Sequence, residues 1–244
     1  MDAHAIQGVR DAAPDGPARR HAGSLAPVPE YHPAFEEYCE CIFELHEDEL
    51  DVIQARVAER IGVSRPAVSE MIRRMEGEGL VTVAKGTIRL TAKGEALAQQ
   101  VVRRHRLAER FLTDVLGLSW ADAHREAGKW EHVISGPVEE AMDRLLGSPT
   151  TCPHGNPIPG SEYVAPDAQR LVDLGIGDHF TVTRIPEELE FTPGLLDFLE
   201  SASILPGRAG TVTATAPDGT MTVEIEGRVV GVGAFASARI LVTA

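Results

Sequence analysis

Three cysteines, Cys39, Cys41 and Cys152, are all this 244-residue chain holds, too few and too oddly spaced for a disulfide framework or a zinc ribbon. Free thiols fit a reducing cytoplasm. Each reads as core or loop filler, because buried free Cys behaves as a small hydrophobe. No stretch approaches the roughly 20 apolar residues that a membrane helix needs, so no membrane partner is expected. Positive charge is thin as well. Only 23 Lys and Arg face 37 Asp and Glu, a net of -14, which excludes a basic coat over the whole surface. The chain carries no HExxH, no activated Ser or Cys nucleophile, and no catalytic base distinct from its candidate metal ligands. An enzyme is therefore not expected.

What is present is organised. The length predicts two or three domains. Residues 1–30, rich in Pro, Gly and Ala without an apolar h-region, read as a disordered tail. Helical periodicity starts near Pro33, with Phe35, Tyr38, Ile42, Phe43 and Leu45 as the apolar stripe. A second helix is expected over Leu50 to Ile61, closed by Gly62. Ser64 is an N-cap for a third through Met75, with Pro66 in its first turn. Two short strands around Lys85-Gly86-Thr87 complete a winged helix-turn-helix over residues 31–98. A long helix from Ala92 to Leu116 and a pair across Trp120 to Leu146 carry more apolar surface than one hairpin buries. Residues 99–147 are thus expected to self-associate as a homodimer. Residues 148–166 form a Pro/Gly-rich connection. Residues 167–244 predict a small β-barrel with one inserted helix over Pro193 to Ser201.

Charge is distributed unevenly over these parts. From Val52 to Glu95 eight Lys or Arg stand against five acids, a local balance of +3 that permits a DNA footprint. The second helix of a helix-turn-helix presents its N-terminal residues to base edges. Here those are Ser64, Arg65, Pro66, Ala67, Ser69 and Glu70: the apolar ones suit thymine methyls, the serines bases or phosphates, Glu70 a cytosine amino group. Arg65, Arg73, Arg74 and Lys85 suit phosphates.

The densest concentration of metal-ligating residue types runs from Val101 to Val133. His105 and Glu109 are four apart and share a helix face, as do His124 and Glu131 at a seven-residue interval, with His132 adjacent. Imidazoles and carboxylates converging from two helices suit a divalent first-row transition metal. Trp120 and Trp130 read as core. Cys152 and His154, flanking Pro153 in a Pro/Gly loop, are assigned no ligand role, nor are His4, His21, His32 and His46.

At the segments IFEL, VAERIGVSRPAVSEMIRRMEGEGLV, RRHRLAERFL, HREAGKWEHV and GNPIPG the chain resembles the diphtheria toxin repressor family, which includes iron-dependent regulators and manganese transport regulators. The resemblance implies an α+β chain: an N-terminal winged helix-turn-helix, a helical dimerisation and metal-binding domain, and a C-terminal SH3-like β-barrel. It implies an ancillary metal site at His105, Glu109 and His124, with Glu187 and Glu190 from the barrel. It also implies a regulatory site at Glu37, Glu131 and His132, with Glu40 and His105 contributing. One position departs from the family pattern. Gly128 stands where iron members carry Cys and manganese members Glu, so only its backbone carbonyl can coordinate. Glu37, a hard oxygen donor, leans toward manganese, whereas WEHV and GNPIPG lean toward iron. The implied corepressor is Mn(II) or Fe(II), with manganese slightly favoured, and no organic cofactor. The implied function is a metal-dependent repressor of metal-uptake genes that binds a palindromic DNA operator as a homodimer. A dimeric winged-helix regulator controlled by an organic ligand, or independent of metal, is the alternative.

Overall fold

The protein is described by a computed structural model over residues 33–244. The tail expected over residues 1–30, with His4, His21 and His32, lies outside the described residues. Helix α1 (Pro33–Glu47) buries Tyr38, Ile42 and Leu45, and along another line Glu36, Glu40 and Glu44. Those three carboxylates recur every fourth residue and so share one face. Helix α2 (Gln54–Ile61) is shorter than expected at its start. Val52 and Ile53 are extended instead, because the wing needs them: the Ile88 N–H donates to the Val52 carbonyl at 2.9 Å, and Ile53 bridges to Thr87. Gly62, at φ 75°, ends α2 in the left-handed region that only glycine enters cheaply. Ser64 accepts from the Ala67 N–H and caps α3 (Arg65–Gly77). Strands β1 (Val81–Ala84) and β2 (Thr87–Leu90) pair antiparallel as the wing. Val57, Val68, Ile72, Met75, Leu80 and Ile88 close this first core with α1 and Leu97.

Helix α4 (Ala92–Arg110) runs from the wing into the middle of the molecule. Its expected continuation to Leu116 widens into a π turn over Phe111–Val115. There the Thr113 hydroxyl donates to the Glu109 and Arg110 carbonyls, drawing the backbone out of the ordinary ladder. Helices α5 (Trp120–Trp130) and α6 (Gly136–Leu145) pack on it around Ala108, Leu112, Ala123, Ala127, Ile134 and Met142. Val115, Leu116, Val133, Val138 and Leu145 are left exposed.

The C-terminal part is one antiparallel sheet of six strands, ordered β3-β8-β4-β5-β6-β7. The strands are β3 (Gln169–Arg170), β4 (His179–Arg184), β5 (Ala209–Thr215), β6 (Met221–Ile225), β7 (Arg228–Val232) and β8 (Leu241–Thr243). Between β4 and β5 lie α7 (Glu187–Glu190) and α8 (Leu195–Ser201), and α9 (Ala234–Ser237) precedes β8. The sequence pattern predicts strands over residues 179–185, 210–216, 221–225 and 239–242 and one helix, so strands β3 and β7 and helices α7 and α9 were not expected. Two- and four-residue elements hold too few residues to show a period, and β7 breaks its alternation at Val229, which is apolar but exposed. Trp120 of α5 enters this third core, beside Phe180, Leu189, Leu196 and Leu199. Its backbone N–H donates to Glu200 at 3.1 Å. The sheet is therefore docked on the helices, and α7 is delivered to the face of α4 and α5. Among the described residues no helix is long and apolar enough to cross a membrane.

Candidate metal centres and nucleic-acid interface

His105, in the last third of α4, is the hinge of two adjoining clusters. Its Nδ1 lies 2.5 Å from Glu131 Oε2, and its Nε2 lies 3.2 Å from Glu109 Oε1 and 3.3 Å from His124 Nδ1. The first cluster spans α1 and the end of α5. Glu40, His105 and Glu131 bring ligand atoms within 4.8 Å of one another. His132 extends it, 3.2 Å from Glu131 through Nε2 and 2.7 Å from Glu36 through Nδ1. A cavity of about 420 Å³ opens here, lined among others by Glu37, Glu40, Gly128, Glu131 and His132. Glu37 faces it but is exposed, and its buried neighbour Glu36 is the residue that meets His132. The four-residue spacing of Glu36, Glu40 and Glu44 is the signal that distinguishes it from Glu37. A Cβ built on Gly128 meets nothing within 4 Å, so the missing side chain leaves open space rather than a tight backbone approach.

The second cluster lies on the other side of His105. Glu109 Oε1 is 3.0 Å from His124 Nδ1, and Glu190 Oε2 is 3.1 Å from the same atom. His154, assigned no role from the sequence, is fully buried in this cluster, 2.9 Å from Glu190 and 3.6 Å from Glu109. Cys152 lies beside it, its Sγ 3.8 Å from His154 Nδ1. Glu109, Cys152 and His154 also bring ligand atoms within 4.8 Å of one another, as do His124, Glu187 and Glu190. The connecting loop brings them in because it docks on β4. The Ile185 N–H donates to the His154 carbonyl, and Asn156 donates to both the Ile185 carbonyl and Glu190 Oε1. Gly155, at φ 88°, lies so close to β4 that a Cβ would sit 2.2 Å from the Thr183 carbonyl. The Trp120 ring stands edge-on to His154 with centroids 4.5 Å apart. Glu187 is shared: one oxygen accepts from Arg106, a fully buried guanidinium that also pairs with Glu47.

The electrostatics of both clusters ask for a cation. Burial disfavours the imidazolium of His105, but Glu109 and Glu131 outweigh it and hold its pKa well above the ordinary histidine range. For His124, burial is likewise overcome by hydrogen bonds to Glu109 and Glu190, and its pKa rises to about 10. His154 is raised by the charges of Glu190 and Glu109 against the same burial. Burial, then Glu131 and Glu44, push the Glu40 carboxyl well up. Burial, then Glu190, take Glu187 to about 7. Protons thus stand where positive charge is wanted. Glu40 Oε1, Glu109 Oε2, Glu187 Oε2 and His154 Nε2 are buried without a hydrogen-bond partner. Orphaned buried polar atoms cost about 1–3 kcal/mol each. Four of them among nitrogen and carboxylate donors, with one thiol, fit a divalent transition metal.

The expected DNA-reading residues are carried by α3 with its Ser64 cap and by the turn of the wing. Arg65, Pro66, Ala67, Glu70, Arg73 and Lys85 are exposed, and Ser69 is half-buried. Ser64 is exposed but its hydroxyl is engaged as the cap, and Arg73 donates back to the Ser69 carbonyl. Arg74 is set apart, its guanidinium carbon 5.4 Å from the centre of the Phe35 ring.

Family models match three successive parts of the chain. A family model described as "Iron dependent repressor, N-terminal DNA binding domain" matches residues 31–87. One described as "Iron dependent repressor, metal binding and dimerisation domain" matches residues 91–160, and "FeoA domain" matches residues 169–244. The iron-dependent repressor IdeR of Mycobacterium tuberculosis is 42% identical over 204 residues, covering 79% of this chain and 88% of that protein. The diphtheria toxin repressor of Corynebacterium jeikeium is 46% identical over 139 residues, 55% of this chain and 58% of that one. A solved manganese-dependent transcriptional repressor in complex with manganese superposes with a TM-score of 0.78 at 34% identity, covering 86% of this chain and 99% of that chain. The structure of T. acidophilum IdeR gives 0.70 at 25% identity, covering 86% and 97%.

Proposed function

Because the chain belongs to the diphtheria toxin repressor family of metal-dependent, DNA-binding transcriptional repressors, we propose that its two clusters hold divalent metal and that the first of them controls operator binding. The observation that carries this reading is the division of the first cluster's donors between two bodies. Glu36 and Glu40 come from α1, which belongs to the core of the helix-turn-helix, whereas His105, Glu131 and His132 come from α4 and the end of α5. Mn(II) or Fe(II), when bound, supplies the positive charge that these carboxylates lack. Without metal, burial and the neighbouring Glu131 keep the Glu40 carboxyl protonated, so the ionic tie between α1 and α5 is missing. Drawing them together sets the angle at which α3 leaves the dimer helices. Half-sites of a palindrome lie about one helical turn apart, so a homodimer with a fixed angle binds more tightly than a loose one. A coupling of about 1–3 kcal/mol is ordinary for such a device, and linkage requires DNA to tighten metal binding equally.

The first cluster would be held by Glu36, Glu40, His105, Glu131 and His132, with Glu37 at the mouth of the cavity and only the Gly128 carbonyl available at its position. Without thiolate or thioether, this set favours Mn(II) over softer ions. The second would be held by Glu109, His124, His154, Glu190 and Glu187, with Cys152 beside it. Exposed Val133, Leu145 and their neighbours suit the homodimer interface. The role needs no catalysis and no organic cofactor, and it places the protein in the cytoplasm with the DNA of metal-uptake genes. Selection from a random duplex pool tests it. Enrichment of an inverted repeat with Mn(II) but not with chelator is expected, and the same enrichment under both conditions would contradict it.

A further inference from the structure

Phe191 follows Glu190 directly and belongs to none of the three apolar cores; it is 47% exposed. Its ring nevertheless has two specific partners from different parts of the molecule. His124, in the second cluster, stands edge-on to it with centroids 5.4 Å apart at an interplanar angle of 90°. Arg60, at the end of α2 in the helix-turn-helix, places its guanidinium carbon 4.3 Å from the ring centre. Arg60 in turn pairs with Glu44 of α1 at 3.3 Å, and both side chains are nearly buried. A half-exposed ring that contributes to no core and holds a buried guanidinium on its face is a poor investment in stability alone. Both geometries lie in the favourable range for aromatic and cation–π contacts.

We propose that Phe191 is a coupling residue through which the second cluster positions the DNA-reading unit directly, in parallel with the joint made by the first cluster. This rests on the metal-dependent reading above. Anything that fixes the His124 ring and the Glu190 backbone fixes Phe191 from two sides. Phe191 then restrains Arg60, and with it α2 and α1. The contact runs from α7 to α2 without passing through Glu40, Glu131 or His132. Linkage makes it reciprocal, so DNA binding strengthens the hold of the second cluster on its ion.

The test compares Phe191→Leu, which keeps apolar bulk and loses the π face, with Phe191→Tyr, which keeps both. Operator affinity is measured by fluorescence anisotropy at fixed salt with chelator and with saturating Mn(II), and Mn(II) stoichiometry by equilibrium dialysis. The expected result is full stoichiometry and unchanged metal-free affinity in Phe191→Leu, with the metal-dependent tightening reduced about two- to fivefold. Phe191→Tyr restores it. Unchanged tightening in Phe191→Leu overturns the proposal. So does a fall in its Mn(II) stoichiometry, which would make Phe191 a support of the cluster instead. A wild-type protein without metal-dependent tightening would overturn the underlying reading, and that outcome is visible before any variant is measured.

Discussion

Replacing Gly128 separates the mechanics of helix α5 from the chemistry of its cavity. Glycine inside a helix is less favourable than alanine by about 0.5–1 kcal/mol, because the unfolded chain loses more freedom on folding. The usual counterweight is a close approach that a Cβ would block, and here a Cβ meets nothing within 4 Å. Gly128→Ala should therefore stabilise the protein by about 0.5–1 kcal/mol, a rise in Tm of roughly 1–4 °C for a chain of this size. Its response to Mn(II) should stay the same. Gly128→Glu makes the same helix and adds a carboxylate to a cavity already lined by Glu37, Glu40 and Glu131. Without metal it should melt below Gly128→Ala, because another acid joins the cluster. With Mn(II) it should gain more, since stabilisation by a ligand grows with its affinity. Differential scanning calorimetry of the three proteins, chelated and with excess Mn(II), reads all of these quantities. A lower Tm for Gly128→Ala, or loss of its metal response, would refute the reasoning and show that the bare backbone at Gly128 is itself required.

Other predictions follow from the same geometry. The His124 pKa, about 10 in the metal-free fold against an ordinary 6.5, contributes stability that is full below pH 6.5 and is lost as pH rises toward 10. Metal must displace that proton, so Mn(II) affinity should rise over the same window, with proton release seen by calorimetry in buffers of different ionisation enthalpy; pH-independent affinity would contradict it. The Trp120 ring meets His154 edge-on, so Mn(II) should quench its fluorescence, and His154→Ala should remove that part of the quenching; unchanged quenching would separate His154 from the site. Arg106→Met leaves Glu187, with a side chain only 1% exposed, without its guanidinium partner. Breaking a buried pair in this way costs about 3–5 kcal/mol, measurable by urea unfolding, and Glu187→Gln in that background should recover part of it. A loss under about 1 kcal/mol would show that the pair is not needed.

The helix-turn-helix was legible from local signals. Ser64 and Pro66 mark the start of α3, Gly62 ends α2, and Lys85-Gly86 turns the wing, because caps and turns are written in neighbouring residues. His105 and Glu109 were legible for the same reason, four residues apart on one helix. Glu36 was harder. A line of buried carboxylates gives no apolar periodicity, and Glu37, at the position that the family resemblance selects, stands beside it. His154 and Cys152 were missed because their partners are distant in the chain: only the docking of the Gly155–Asn156 loop on β4 brings them to Glu109 and Glu190. The start of α2 was misplaced because a pairing with Thr87 and Ile88, more than thirty residues on, outweighs helix propensity at Val52 and Ile53.

We propose that donors split between α1 and the dimer helices make operator affinity depend on metal. Fluorescence anisotropy with the selected duplex at fixed salt, chelated and Mn(II)-saturated, for wild type and Glu40→Gln, tests it most directly. Tightening of about 5- to 150-fold is expected in the wild type, most of it absent in Glu40→Gln, with equal metal-free affinities. Equal affinity with and without metal in the wild type, or full tightening in Glu40→Gln, would contradict it.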